Sequence, residues 1–455
     1  MIKDKIVNIG TVQLGGDHPV VIQTMTNTST SDIDGTIHQT LKVIENGAAM
    51  VRITVPTLKE IDHLREIVTK IREMGYQTPI IADVHYLPEV AEAVAEFVDK
   101  VRINPGNFVD KREFKSIDLT DEVYLESVEK MATKAKTLIE ICKKHHTAIR
   151  VGVNQGSLCD RIVNKYGNTP IAMVESAMEW IHICQNFDFH NIVFSLKSSN
   201  VNTMLEATTL LQQKMEQIGV RYPLHLGVTE AADGMEGRVK SAIGIGALLL
   251  HHIGNTIRVS LTEKPENEIV FAKKLVQVVS RIDPKQYSIK KNRLLIHSEE
   301  KDQETWWAET ASIAGYFHLN HQFNTLEIHN DNFSNQQCLE LADTILQGCR
   351  IKLTKTEIIA CPSCGRTQYD IQKVLTMVKE KFSHYPNLKI GVMGCVVNGP
   401  GEMADADVGI IGSSNGKMAV YKGTERISPF LPYKEAFDIL EQNIDQIIQE
   451  RINKS

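Results

Sequence analysis

The sequence has no basic run, no long apolar stretch and no secretory-type start, and each absence removes a class of function. Lys and Arg number 50 against 56 Asp and Glu, a net charge of -6 with a pI near 6.3, which excludes the cationic face of a nucleic-acid binder. No uninterrupted apolar segment approaches the roughly 20 residues that cross a bilayer, so no membrane association is expected. The opening MIKDKIVNIG lacks the charged-then-apolar layout of a signal peptide, and the expected location is the cytoplasm. Eight cysteines in 455 residues then read as thiols or metal ligands before disulfides. Cys142, Cys159, Cys184, Cys338 and Cys349 have no ligand-like spacing and read as packing residues. The remaining three, Cys361 and Cys364 in CPSCGRT and Cys395 in GCVVNGPGE, form a set that is one sulfur short. Four thiolates close a structural site, whereas three leave a metal position for a weaker ligand, which is where catalysis happens. Glu402, seven residues beyond Cys395 and across the NGPG turn, is a carboxylate that can complete the set. On spacing alone, zinc with three thiolates and a carboxylate or water stands beside an iron-sulfur cluster.

What is present is a long strand and helix alternation. β-branched runs recur at 19–25, 49–54, 79–83, 100–104, 148–153, 191–196, 223–228 and 256–261, separated by segments of helical periodicity. Eight strands in this rhythm predict a (β/α)8 TIM barrel, in which ligand groups gather at the C-terminal strand ends. A doubly wound open sheet is the alternative. VRIT at 51, VRIN at 101, IRVG at 149 and IRVS at 257 each place an arginine between two apolar residues. Strand alternation puts Arg52, Arg102, Arg150 and Arg258 on the face opposite the valines and isoleucines, with Thr54, Asn104 and Ser260. Several guanidinium groups inside a dry barrel need an anion, and Lys197 after NIVFSL adds a fifth cation, so a diphosphate-like ligand is expected. ADVHY supplies Asp83 and His85, and LGVTEA supplies Thr229 and Glu230, the latter a candidate acid or base. A hydrogen-bonded rim histidine and an arginine-paired glutamate are the plain readings of His85 and Glu230. GIGALL at 244–249 has only part of a nucleotide-loop pattern and reads as helix packing.

About two or three domains are expected at roughly 150 residues each. The barrel takes residues 1–280, a small inserted α/β segment takes 281–349, and a C-terminal α/β domain takes 350–455. His297, His318, His321 and His329 in the insert lack paired ligand spacing, and Trp306 and Trp307 read as packing or subunit-interface anchors. In the last domain, Cys361 and Cys364 follow one apolar strand and Cys395 follows another, so the thiols can converge at neighbouring strand ends. A helix is expected near 368–382 and another over roughly 433–452.

CPSCGRT followed by MGCVVNGPGEMADAD closely resembles the cluster domain of the 4-hydroxy-3-methylbut-2-enyl diphosphate synthase family, and VIQTMTNT, MVRITVP, ADVHY, VRINPGN, RVGVNQGSL, SLKSSN, LGVTEA and IRVSLT extend the resemblance along the barrel. The resemblance implies a [4Fe-4S] cluster on Cys361, Cys364, Cys395 and Glu402, in a domain resembling the halves of sulfite and nitrite reductases. It implies two-electron reductive ring opening of 2-C-methyl-D-erythritol 2,4-cyclodiphosphate, with loss of water, to (E)-4-hydroxy-3-methylbut-2-enyl diphosphate in non-mevalonate isoprenoid synthesis. Arg52, Arg102, Arg150, Lys197, Arg258 and Ser260 match the family's diphosphate contacts. Asp83, Asn154, Thr229, Glu230 and Asn398 match residues around the reacting carbons, with Glu230 as proton donor, and ferredoxin or flavodoxin is the implied electron donor. The wording resembles the plant-type branch, which carries a large extra domain where this chain has only its short insert. A head-to-tail homodimer, with each cluster domain capping the partner's barrel, is therefore the expected assembly, with closure within one chain as the alternative. A zinc-containing barrel enzyme acting on a phosphorylated or pterin-like substrate, and a diphosphate-binding sensor module, are the competing readings.

Overall fold

The computed structural model describes residues 2–110, 120–362, 364–367, 369–396, 399–413 and 416–453. Its barrel strands are β1 (Val21–Met25), β2 (Met50–Thr54), β3 (Ile80–Asp83), β4 (Lys100–Ile103), β5 (Ala148–Asn154), β6 (Ile192–Lys197), β7 (His225–Leu226) and β8 (Thr256–Ile257). They pair in parallel in the order β7-β8-β1-β2-β3-β4-β5-β6, and a bridge from Phe194 to Leu224 joins the two ends. The eight expected runs are thus the eight staves of a TIM barrel, and the open sheet is excluded. Around them lie α1 (Ile33–Glu45), α2 (Glu60–Glu73), α3 (Pro88–Val94), α4 (Asp121–His145), α5 (Asp160–Tyr166), α6 (Pro170–Asn186), α7 (Val201–Gln217), α8 (Gly234–Leu250) and α9 (Pro265–Val279).

The alternation within each strand decides what the barrel contains. Val51, Ile53, Val101, Ile103, Ile149 and Val151 point outward into the core shared with the helices. The inward set starts at the bottom with Met50, Ile81, Ala148 and Val193, which pack on Val7, Ile9 and Leu14 of an N-terminal hairpin that plugs that end. Lys100 is buried in this layer against Met50, and above it the inward positions are polar, with Arg52, Arg102, Arg150 and Lys197 among Thr54, Asp83 and Ser195. All eight strands therefore serve one polar chamber closed from below.

The insert is not a separate core. It contributes β9 (Ile289–Lys290), β10 (Arg293–His297), α10 (Gln303–His318), β11 (Thr325–His329) and α11 (Asn335–Gly348), with β9 antiparallel and β11 parallel to β10. Leu294, Ile296, Trp306, Ile313 and Leu341 join the same hydrophobic cluster as the barrel helices. Trp306 stacks on Phe333 with ring centroids 4.1 Å apart, His318 bonds Asn202 at 2.7 Å, and His297 stacks on His329. The GIGALL segment lies in α8, where glycine permits close packing: a Cβ at Gly246 would sit 2.0 Å from Ser312 Oγ, and one at Gly315 would sit 2.4 Å from the Ile243 carbonyl.

The last domain builds its own core on β12 (Glu357–Ala360), α12 (Ile371–Phe382), β13 (Lys389–Met393), the single turn α13 (Gly399–Glu402), β14 (Val408–Gly412), β15 (Lys417–Lys422) and α14 (Tyr433–Ile452). β12, β13 and β14 run parallel and β15 antiparallel, with Leu375, Phe382, Ile390, Ile410, Leu440 and Ile444 packed between sheet and helices.

This domain sits on the barrel of its own chain, the intramolecular closure that was the alternative to head-to-tail capping of a partner. α10 and α11 lie along α8 and bring the chain to the barrel rim, where Lys240 of α8 donates to Glu357 Oε1 at 2.9 Å. Arg350 pairs with the same Glu357 and with Asp405, and Lys379 pairs with Asp233. Buried pairs of this kind add little net stability because both ions lose water, but removing one partner strands the other. They fix the register of docking within one chain, and no second chain is needed to build the cavity beneath.

Replacing Gly315 by alanine tests the attachment of the insert. The added methyl meets a backbone carbonyl rather than a yielding side chain, and the expected loss is about 1–3 kcal/mol in denaturant unfolding. An unchanged midpoint would mean that α8 and α10 do not pack this closely.

Candidate active site

Arg52 of β2, Arg102 of β4, Arg150 of β5, Lys197 of β6, and Arg258 and Ser260 beyond β8 line one cavity of about 80 Å³ at the C-terminal strand ends. Asp83, Asn154, Thr229 and Glu230 line it as well, and from the cap come Cys361, Cys364 and Arg366. A larger cavity of about 720 Å³, at the opposite end of the barrel between α7, α8 and α10, holds none of these residues. Size does not identify the site; the chemistry does.

The chamber is crowded with positive charge. Arg258 forks onto Glu268 at 3.0 and 3.1 Å, and Arg102 donates to Asp83 Oδ1 at 3.2 Å and to the Gly152 carbonyl at 3.0 Å. Arg150 Nη1 donates to Ser195 Oγ at 2.6 Å, and Lys197 Nζ lies 3.5 Å from His225 Nε2. Two carboxylates thus face a whole ring of cations. Burial, then the neighbouring Arg150, Arg52 and Arg258, push the Lys197 ammonium well below its usual range. Burial also lowers Arg52, to about 10, against the pull of Asp83 and with Arg258 and Arg102 adding to the effect. Burial alone would raise the Asp83 carboxyl, but Arg52, Arg102 and Arg366 hold it well below the usual carboxylate range. His85 is a buried, neutral hydrogen-bonding hub, 3.2 Å from Arg102 and 3.1 Å from Asn107, as its plain reading had it.

The cap closes the mouth through backbone. Ala360 N donates to the Glu230 carbonyl at 3.3 Å, Thr262 Oγ1 to the Cys361 carbonyl at 3.0 Å, and Asn154 Nδ2 to Glu402 Oε1 at 2.9 Å. Gly401 lies so near Gly156 that a Cβ would fall 1.5 Å from its carbonyl oxygen. Glu230 has left-handed backbone, φ 50°, and its carboxyl meets Glu402 rather than an arginine, so the ion-pair reading of Glu230 is corrected. Burial raises both carboxyls, and Glu402 is raised further because Glu230 faces it. Asn398 lies outside the described residues.

The donors suit a cationic metal group. Burial pushes the Cys361 thiol well above its usual range, and Cys364, Glu230 and Cys395 add to the shift, so these groups share one neighbourhood and cannot all ionise without positive charge among them. Among the described residues no three such side chains close to the spacing of a single ion's shell. Three thiols and a buried carboxyl that share one neighbourhood are a donor set that a positively charged metal group would satisfy. The other five cysteines are buried and free, as packing residues should be.

Three contributors escaped the sequence reading. Glu268, at the start of α9, carries no motif. His225 occupies the inward position two residues before Gly227, a signal that strand alternation contained. Arg366 stands within CPSCGRT itself, overshadowed by the cysteines.

A buried cationic chamber in a TIM barrel, closed by a thiol-bearing cap, is the architecture of a barrel enzyme. The chain belongs to the GcpE family: residues 4–273 match its TIM-barrel domain and residues 357–446 match the GcpE protein C-terminal domain. It is 35% identical over 587 aligned positions to the 4-hydroxy-3-methylbut-2-en-1-yl diphosphate synthase (flavodoxin) of Bacteroides thetaiotaomicron, covering 95% of this chain and 96% of that one. It is 38% identical over 448 positions to the ferredoxin-type synthase of Synechococcus sp. strain CC9902 (98% and 93% covered) and 32% identical to the chloroplastic ferredoxin-type synthase of Arabidopsis thaliana (96% and 86%). The 587 aligned positions exceed this chain's 455 residues, so the Bacteroides protein carries residues without a counterpart here. No helix is long and apolar enough to cross a membrane among the described residues.

Because burial, and then Arg150, Arg52 and Arg258, lower Lys197, an anion placed among these groups strengthens its hold on its proton. Binding of inorganic diphosphate is therefore expected to take up protons and to weaken as pH rises. Calorimetry in buffers of different ionisation heats measures the uptake, and heats independent of buffer would show Lys197 already charged in the free protein.

Proposed function

We propose that the chain is a 4-hydroxy-3-methylbut-2-enyl diphosphate synthase, an iron-sulfur oxidoreductase that opens 2-C-methyl-D-erythritol 2,4-cyclodiphosphate by two-electron reduction, with loss of water, to (E)-4-hydroxy-3-methylbut-2-enyl diphosphate. The observation that carries this reading is one cavity lined on the barrel side by Arg52, Arg102, Arg150, Lys197 and Arg258 and on the cap side by Cys361 and Cys364. Cys361, Cys364, Cys395 and Glu402 would hold a [4Fe-4S] cluster, which when bound supplies the electrons and a Lewis-acidic iron.

The chain's own residues divide the remaining work. The cationic ring and Ser260 bind the cyclic diphosphate and stabilise the charge freed on its oxygen when the ring C–O bond breaks. The same contacts fix the sugar carbons against the cap, so the reacting bond meets the thiol face in one orientation. Glu230, kept from water by the cap, holds a proton at its carboxyl and delivers it to the departing hydroxyl, which leaves as water. Asn154 orients Glu402 through its amide, and Asp83 with Thr229 borders the substrate carbons. Asn398 is assigned to the same group by its motif. The cap domain is taken to resemble the reductase halves named above, and ferredoxin or flavodoxin is the electron donor, as the relatives' names suggest. Because one chain builds the whole cavity, a homodimer would have to serve something other than completing the site.

Anaerobically reconstituted protein with a strong one-electron reductant should consume the cyclic diphosphate and release the acyclic product. Failure to do so with iron and sulfide fully loaded would sink the assignment. Glu230→Gln should lower kcat by about 10²- to 10⁴-fold with KM little changed. Glu402→Ala should leave a brown protein whose cluster is lost faster in air.

A further inference from the structure

Arg366 is the cation of this site that comes from the cap. It lies two residues beyond Cys364, its side chain is 11% exposed, and its Nη2 reaches Asp83 Oδ2 at 3.3 Å. The guanidinium lines the same cavity as Cys361 and Cys364, and against the effect of burial it is raised by Cys364, Asp83 and Cys395. Asp83 in turn holds Arg102, and Arg102 reaches the Gly152 carbonyl of β5. A continuous line of charge runs from the thiols through Arg366 and Asp83 to an arginine of the anion ring. The turn that carries Arg366 fits only because Gly365 has no side chain: a Cβ there would lie 2.6 Å from the Thr28 carbonyl beyond β1. With Cys361 held by Thr262 beyond β8, this one cap loop touches the exits of three barrel strands.

We infer that Arg366 is a positioning residue that ties the charge of the thiol-bound cluster to closure of the cap over the diphosphate site. The inference rests on the iron-sulfur reading above. A guanidinium against ligand sulfur stabilises the more negative, reduced state, because hydrogen bonds and net charge near the sulfurs set a cluster's potential. Its second contact, to Asp83, clasps the cap to β3 of the barrel. One arginine in both contacts makes them thermodynamically linked: what strengthens the clasp also biases the electron, and the reverse follows by reciprocity.

The test uses Arg366→Gln and Arg366→Lys in the full chain loaded with cluster, and reads the midpoint potential by EPR-monitored titration without substrate. Glutamine should shift the potential to more negative values, and lysine, which keeps the charge, should recover most of that shift. In the cluster-free chain, proteolysis of the 350–356 linker should run several-fold faster for the glutamine variant. Affinity for inorganic diphosphate should drop in both variants, and further for glutamine, because Arg366 lines the same cavity as the cationic ring. A potential unchanged in both variants overturns the electrostatic role, and an unchanged cleavage rate overturns the clasp. If the glutamine variant fails to load a cluster, the lysine variant decides through the diphosphate affinity, which should fall although the charge is kept. The potential is read without turnover, so these outcomes are separate from whether the cyclic diphosphate is the substrate.

Discussion

Crowded positive charge in a chamber from which water is largely excluded is the constraint on which the rest of the structure depends. Arg52, Arg102, Arg150, Lys197 and Arg258 come from or just beyond five different strands, and among the described residues Asp83 and Glu268 are the carboxylates that form ion pairs with them. Burying a charge costs heavily unless it is paired. The fold tolerates the deficit because each strand is anchored outside by Val, Ile and Leu in the helix-facing core and below by the hairpin plug. A polyanionic ligand would supply what the residues lack, and its binding energy would then be concentrated in this chamber.

The cap must approach that chamber closely enough to exclude water, and glycine makes the approach. Gly401 against Gly156 and Gly365 against Thr28 are contacts of main chain on main chain, where any side chain would hold the domains apart. Those contacts put Glu402 beside Asn154 and Arg366 beside Asp83. The insert determines that this happens within one chain. By fusing with the barrel's helical layer through α8 and α10, it acts as a rigid bracket rather than a tether, and the Lys240–Glu357 pair marks where the bracket delivers the cap.

Much of this was legible in the residues, and what was not has a physical reason. Strand alternation is local, so VRIT, VRIN, IRVG and IRVS disclosed both the outward core and the inward cations, and the eight β-branched runs disclosed the barrel. Cysteines at two strand ends announced their convergence, since parallel neighbours in a sheet bring their exits together. Closure in one chain was not legible, because it depends on how helices 303–318 and 335–348 pack on a barrel helix more than 60 residues earlier, and periodicity carries no such information. Glu230 was found by its place at a strand end, but its partner was misread: an arginine is the usual neighbour of a buried glutamate, and only the tertiary docking of the cap sets a second carboxyl against it.

The turn after β7 is where barrel and cap become one structure. Glu230 and Ala232 both adopt left-handed backbone, φ 50° and 69°, a conformation that costs a residue with a side chain roughly 1–2 kcal/mol. Strain of this size persists only when its surroundings over-determine it. Here they do: Ala360 N bonds the Glu230 carbonyl, Ala231 bridges Ala360 in parallel fashion, and Thr262 N bonds the Ala232 carbonyl. The first strand of the cap is thus stitched to the exit of a barrel strand, and Cys361, the next residue after Ala360, is carried with it. The strained turn and the first thiol are set by the same backbone links, so the buried Glu230 carboxyl and the thiol face are held in one fixed relation.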